Sequence, residues 1–341
     1  MYVFCLGAPY IVLISQTGVP SQEGMSITAQ DKATIRENLV ASMVHLSGPS
    51  DKLVRTQIGE SIAAVARSDF PDSWPDLVSR LVSALSPTDY AINISVLQTA
   101  HNIFAPWKSE IRSDRLYSTI NLALSHFVDA YFTLFRTTAS HVASPDAADV
   151  SILALLGDTM DLLFNLYYDL TAQDLPPAFE DAHDEFFGNE KEEGWLLRFL
   201  KWDPPLLRGD VSCLNITISW HLICVFPQPS DLSPTAPMRI QTTILEICEL
   251  YMQRYNELSA PRLPVFVRAV WELIGTSTQA VREDGVVAQA IKLLSISVKM
   301  GSHVELFRQT DTLRALCERI IVPSMTIRGM RCGIRRTSPY P

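Results

Sequence analysis

The chain has 341 residues, 47% of them apolar, with 28 Lys and Arg against 37 Asp and Glu and a net charge of −9. That length accommodates two average domains or one long repeat array, with ample material for a core. The acidic balance argues against a nucleic-acid partner, which would call for a basic face, and suits basic protein partners instead.

Six cysteines (Cys5, Cys213, Cys224, Cys248, Cys317, Cys332) show no paired or metal-type spacing, which points to a reducing compartment. Met1 to Ser15 lacks the basic flank and small-residue cleavage site of a signal peptide. Cys213 to Phe226 is too short to span a bilayer and contains Asn215 and His221, so no membrane insertion is expected. Asn215-Ile-Thr217 matches a glycosylation sequon, which carries no weight in a cytosolic chain.

From about residue 31 the pattern is helix after helix. Asp31–Leu46 places Ile35, Leu39 and Met43 on one face. Asp51–Arg67 points Val54, Ile58, Ile62 and Val65 inward and Arg55, Gln57 and Glu60 outward. Between this helix and the next lies Ser68-Asp-Phe-Pro-Asp-Ser-Trp-Pro-Asp-Leu-Val78, a helix stop followed at once by a helix start. Asp69 and Pro71 end the first helix, because a residue preceding proline is pushed out of the α region. Ser73 is expected to cap the next, with Trp74 and Pro75 in its first positions. Phe70 completes this rigid corner, the element that an α-solenoid needs at every repeat.

Trp74–Leu85 and Thr88–Ala105 form the next pair, the latter burying Ile92, Val96, Ala100 and Ile103. Ser113–Arg136 keeps Leu116, Ile120, Leu124, Phe127, Tyr131 and Leu134 in register. Ala148–Leu170 is apolar almost all round, as expected of a helix packed on several sides. Shorter elements cover Pro177–Phe187 and Glu192–Lys201. Then come Pro237–Tyr255, Leu263–Gly275, Gly285–Met300 and Val304–Ile321. Short connections imply antiparallel neighbours. The irregular period of about 40 residues falls in the HEAT range. The expected fold is all-α: a superhelical α-solenoid of HEAT-like antiparallel helix pairs.

Two regions break the pattern. Val211–Gln228 is a β-prone apolar burst in a polar loop, with no strand partner in a helical chain. We read it as a retained intron: Val-Ser permits a GTGAGT donor, Pro-Gln an acceptor ending in CAG, and the frame is kept. The tail 329–341 permits a similar read-through, and residues 1–26 look equally foreign. Sequencing the mature transcript across these stretches decides the matter.

Catalytic and cofactor motifs are missing: there is no GxGxxG, GxxxxGK[ST] or GxSxG. The histidines fall singly, with His101 and His126 read as ordinary helix residues, and Asp158 and Asp161 read as a solvated stripe. No enzyme activity, cofactor or metal is expected. The acidic run 179–193 reads as solvent-facing loop. In a HEAT array the second helix of each pair lines the concave side, where partners bind. That makes Gln57, Glu60, Asn93, Gln98 and Asn102 the candidate partner-binding residues.

Leu53-Val-Arg-Thr-Gln-Ile-Gly-Glu-Ser-Ile-Ala-Ala-Val-Ala-Arg-Ser-Asp-Phe-Pro-Asp-Ser-Trp-Pro-Asp-Leu77 resembles the end of the importin-β N-terminal domain. Narrower matches are Ala100-His-Asn-Ile-Phe-Ala-Pro-Trp107, Arg112-Ser-Asp114, Phe179-Glu-Asp181 and Ile244-Leu-Glu-Ile-Cys-Glu-Leu-Tyr251. Phe266-Val-Arg-Ala-Val-Trp-Glu-Leu-Ile274 and Val322-Pro-Ser-Met-Thr-Ile-Arg328 complete the set. Together they resemble the importin-β superfamily (karyopherins), and within it the importin-α export receptors. The resemblance divides the chain into a non-family leader at 1–26, the end of an importin-β N-terminal domain at 27–110 and exportin-type HEAT repeats at 111–328. It implies Ran-GTP and importin-α as partners, nuclear pore proteins as further ones, and shuttling between nucleus and cytoplasm. Ran contacts would fall on Gln57 to Ala66 and Asn93 to Asn102. Another karyopherin or a generic HEAT scaffold is the alternative. The family's first repeats and C-terminal arch are not represented here, so capture of these partners by this chain alone is expected to be weak or nil.

Overall fold

In the computed structural model, residues 28–46, 51–143, 149–207, 233–277 and 280–300 are described, with the isolated residues 314, 318 and 322. The expectations for 1–26, Val211–Gln228 and 329–341, that for Val304–Ile321 apart from residues 314 and 318, and the cysteines other than Cys248 lie outside the described residues.

Four of the long helices start where a side chain takes up free backbone amides. Thr28 and Asp31 form a reciprocal capping box on α1 (Ala29–His45). Asp89 caps α4 (Tyr90–Phe104) by accepting from the amides of Ala91 and Ile92. Ser113 caps α5 (Asp114–Val142), and Asp149 caps α6 (Val150–Thr171). Between these run α2 (Lys52–Asp69) and α3 (Leu77–Ser83). The short helices α7 (Pro177–Asp181), α8 (His183–Phe187) and α9 (Trp195–Leu200) follow. The expected single element 177–187 is thus two turns. Last come α10 (Ala236–Arg254), α11 (Asn256–Ser259), α12 (Leu263–Gly275) and α13 (Asp284–Lys299).

Each long helix packs antiparallel-pair fashion on its chain neighbour: α1 on α2, α3 on α4, α5 on α6, α12 on α13. The second members also touch one another in series, α2 on α4, α4 on α6, α6 on α10 and α10 on α13. This row is one layer; α1, α3, α5, α9 and α12 belong to the other, with α3 on α5 and α9 on α12. A two-layer helical array whose repeats touch mainly their neighbours is an α-solenoid, as expected. Among the described residues the only β-type pairing is an isolated bridge, Gly188 to Glu193.

α6 is long and apolar enough to cross a membrane by length and composition alone. Its apolar faces are covered from α4, α5 and α10, and Met160, Leu163, Phe164, Leu166 and Tyr167 are fully buried. An aromatic cluster joins the two layers here: Tyr167 lies 5.2 Å from Phe179 and 4.6 Å from Phe186, and its hydroxyl is 2.7 Å from that of Tyr251. Cys248 is buried in the same core, which pushes its thiol well above the ordinary range.

The corner after α2 differs in detail from its expected form. Helix α2 does end at Asp69, with Phe70 extended before Pro71. Ser73, however, caps nothing. Its amide and that of Trp74 turn back to the Asp69 carbonyl at 2.7 and 2.9 Å, so α3 cannot begin until Leu77, and Pro75 precedes the helix. Arg36 of α1 staples the corner, donating to the Asp69 carboxylate at 2.8 Å and the Ser73 carbonyl at 2.6 Å. Trp74 is 2% exposed and Phe70 8%. In α2 itself, Val54 is exposed and Arg55 buried, the reverse of expectation. The carbonyl of Leu46, at the end of α1, needs a donor, and the Arg55 guanidinium supplies it.

The corner gives a direct test. Trp74→Ala should lower unfolding stability by about 3–5 kcal/mol, read from urea midpoints. Pro75→Ala, at an exposed position, should stay within about 0.5 kcal/mol. Equal effects at the two positions would contradict this account of the corner.

Candidate functional site

A cleft of about 450 Å³ opens on the row α2–α4–α6, closed at one end by Arg239 of α10. Glu60, Gln98 and Asn102, three of the five candidate residues, line it together with Lys52, Asp158 and Asp161. Helical geometry explains the convergence: Gln98 and Asn102 are one turn apart on α4, and the Gln98 amide donates to Asn102 at 3.1 Å. Gln57 is exposed on α2 but does not line the cleft.

Asn93 is the correction. It is fully buried, and its amide clamps the α3–α4 connection, accepting from the Ser86 amide at 2.8 Å and donating to the Ser86 carbonyl at 2.7 Å. A buried turn must satisfy its backbone groups, and Asn93 does so. It offers nothing to a partner.

Asp158 and Asp161, expected as a solvated stripe, share Arg239 instead. Its guanidinium reaches Asp158 at 2.6 Å and Asp161 at 2.7 Å, bridging α6 to α10. Burial pushes the Asp161 carboxyl above its usual value, against the downward pull of Arg239. Burial lowers the Arg239 pKa, but the two carboxylates more than offset that and carry it upward. Asn165, one turn on, donates to Asp161 at 3.1 Å and lies 3.4 Å from the Thr243 hydroxyl.

Further along α6, Asp169 is almost fully buried. His101, expected as an ordinary helix residue, meets it at 2.6 Å, and Lys108 at 3.4 Å. The last carbonyls of α6 are capped from neighbouring repeats: Arg254 donates to Ala172, Tyr255 to Thr171 at 2.8 Å and Arg112 to Gln173 at 2.7 Å. The Gln173 side chain in turn donates to the carbonyls of Trp107 and Glu110 at 2.6 and 2.9 Å. Sequence reasoning missed Arg239, Asp169 and Gln173. Their partners lie between 61 and 81 residues away, and no local pattern marks them.

The acidic run is mixed in character. Glu180 and Asp181 are exposed as expected, but Glu185 pairs bidentately with Arg136 at 2.7 and 2.9 Å and accepts from Trp195. The Arg136 hydrogen bond holds its carboxyl below the usual range. Among the described residues there is no cluster of three or more His, Cys, Asp or Glu able to hold a metal ion.

A helical solenoid carrying a charged cleft along one row, built from side chains of successive repeats, defines a class: α-solenoids of HEAT-like helix pairs. The Cse1 family model matches residues 103–217 and 226–334, two thirds of the chain, and this chain belongs to the Cse1 family. The match is interrupted inside Val211–Gln228 and continues past residue 328. The importin-alpha re-exporter of Schizosaccharomyces pombe is 32% identical over 308 residues, covering 90% of this chain. Exportin-2 of Homo sapiens is 30% identical over 312 residues, covering 91%. The chain spans only 29% of the length of each of these relatives. Among solved structures, the exportin Cse1 in its cargo-free, cytoplasmic state matches with a TM-score of 0.76 at 26% identity, over 94% of this chain and 34% of that one.

The shared arginine is testable. Arg239→Ala should cost about 2 kcal/mol, since it strands a buried carboxylate, less than for a fully buried pair because Arg239 is itself partly solvated. Without Arg239 the Asp161 pKa rises further, and a raised carboxyl favours the fold once protonated. The deficit should therefore be largest near neutral pH and shrink as pH falls, with Asp161→Asn removing that dependence. A deficit that does not change with pH would refute the assignment.

Proposed function

We propose that this chain is a portion of a nuclear export receptor that carries importin-α from nucleus to cytoplasm together with Ran-GTP. Membership of the Cse1 family carries this reading, because the relatives named above are an importin-alpha re-exporter and exportins. On this reading the protein shuttles through nuclear pores and is a binding protein, not an enzyme. The row α2–α4–α6–α10 is its partner face, with Glu60, Gln98, Asn102 and the exposed Gln57 as contact residues.

The mechanism is coupled binding. If Ran-GTP and importin-α both favour one arrangement of the repeats, each strengthens the other by the same factor. Bridges between repeats, such as Arg239 on Asp158 and Asp161, set the stiffness with which that arrangement is reached.

The test is capture on immobilised chain of Ran loaded with GTP or GDP, with and without importin-α. Because the chain spans a minor part of its relatives, capture should be weaker than by the intact S. pombe relative. It should still prefer the GTP form and increase when importin-α is added. Detectable but equal capture of the two forms of Ran would sink the reading.

A further inference from the structure

We propose that Gly59 of α2 and Thr99 of α4 form the joint that sets the width of the first cleft, which makes Gly59 a positioning residue for the partner face. The proposal deepens the reading of this row as the partner face and rests on it.

Gly59 and Thr99 meet where α2 packs on α4, and both line the cleft of about 450 Å³. Two of its candidate contact residues sit beside them, Glu60 next to Gly59 and Gln98 next to Thr99. A change in the spacing of α2 and α4 at this point therefore changes the distance across the cleft.

Gly59 lies in the interior of an 18-residue helix, where glycine is less favourable than alanine. What it gives in return is close approach. A Cβ at position 59 would lie 2.6 Å from Thr99 Oγ1, well inside contact distance. Thr99 has little room to retreat. It is 1% exposed, its hydroxyl donates to the Ser95 carbonyl at 2.9 Å, and Sδ of Met43 on α1 lies 3.1 Å from the same oxygen. A β-branched side chain is also stiff about χ1.

The spacing of packed helices is set by the side chains at their contact. A methyl group added at position 59 must therefore push α2 from α4 by about 1 Å, the difference between 2.6 Å and an ordinary contact of roughly 3.5 Å. The α6–α10 joint is built in the same way but less tightly, with a Cβ at Gly157 reaching that of Ala236 at 3.0 Å. Gly59 is thus the tighter of these two joints, and it is the one that opens directly on the cleft.

The test is a set of crystal structures of the full chain, read as the separation of α2 and α4 at residues 59 and 99. Gly59→Ala should open it by about 1 Å. Gly59→Ala with Thr99→Ala, which removes the opposing oxygen, should restore it. Gly59→Ala with Thr99→Val, which puts a methyl in that place, should not. Gly275→Ala, where an added methyl meets nothing within 4 Å, should leave the separation unchanged. An unmoved α2 in Gly59→Ala, or an equal opening in the Thr99→Ala double variant, would overturn the proposal. Should Gly59→Ala fail to fold, a folded Thr99→Ala double variant upholds the joint and an unfolded one overturns it. Capture of Ran-GTP with importin-α on the same proteins should fall in Gly59→Ala and return in that double variant. GTP-selective capture that ignores the opening would overturn the positioning role. Detectable but equal capture of both Ran forms by the unaltered chain, with the opening seen in Gly59→Ala, would remove the export reading and leave the joint standing.

Discussion

The long helices of this protein carry apolar faces that none of them can bury alone. The rest of the structure follows from how that need is met. The second helices of the pairs cover one another in series, α2 on α4, α4 on α6, α6 on α10 and α10 on α13, and the first helices close the back. Among the described residues, stacking in one direction leaves one face of the row uncovered. Polar side chains that its core cannot accept collect there at repeat spacing, which is how a charged cleft arises from sequence-distant residues.

α6 shows the consequence most clearly. Its composition would suit a lipid bilayer, yet it carries Asp158, Asp161 and Asp169 along the side that faces the row. Each carboxylate is met by a cation or imidazole from a neighbouring repeat, so the ion pairs act as crosslinks between repeats. The carbonyls at its C-terminal end are held the same way by Arg112, Arg254 and Tyr255. A solenoid whose repeats are joined by such polar bridges has joints of graded strength.

The two clefts divide the row by chemistry. The first gathers Glu60, Gln98 and Asn102 beside the Arg239 bridge, offering amides and a carboxylate. The second holds Asp161 and Glu246 with Arg239 and Arg282.

The helices, their order and their pairing were legible in the sequence, because periodic apolar residues, caps and prolines act within a few residues of one another. The stop at Asp69 and the burial of α6 on several sides are of this kind, whereas the cap expected at Ser73 is not formed. What lay beyond reach was any property set by residues brought together from different repeats. Asn93 reads as a surface amide until Ser86 is found folded against it, Arg55 until the Leu46 carbonyl is found above it, and Asp158 and Asp161 until Arg239 closes on both. Local sequence determines which backbone forms a helix; the stacking of helices decides which polar side chains are spent on the fold and which remain to meet a partner.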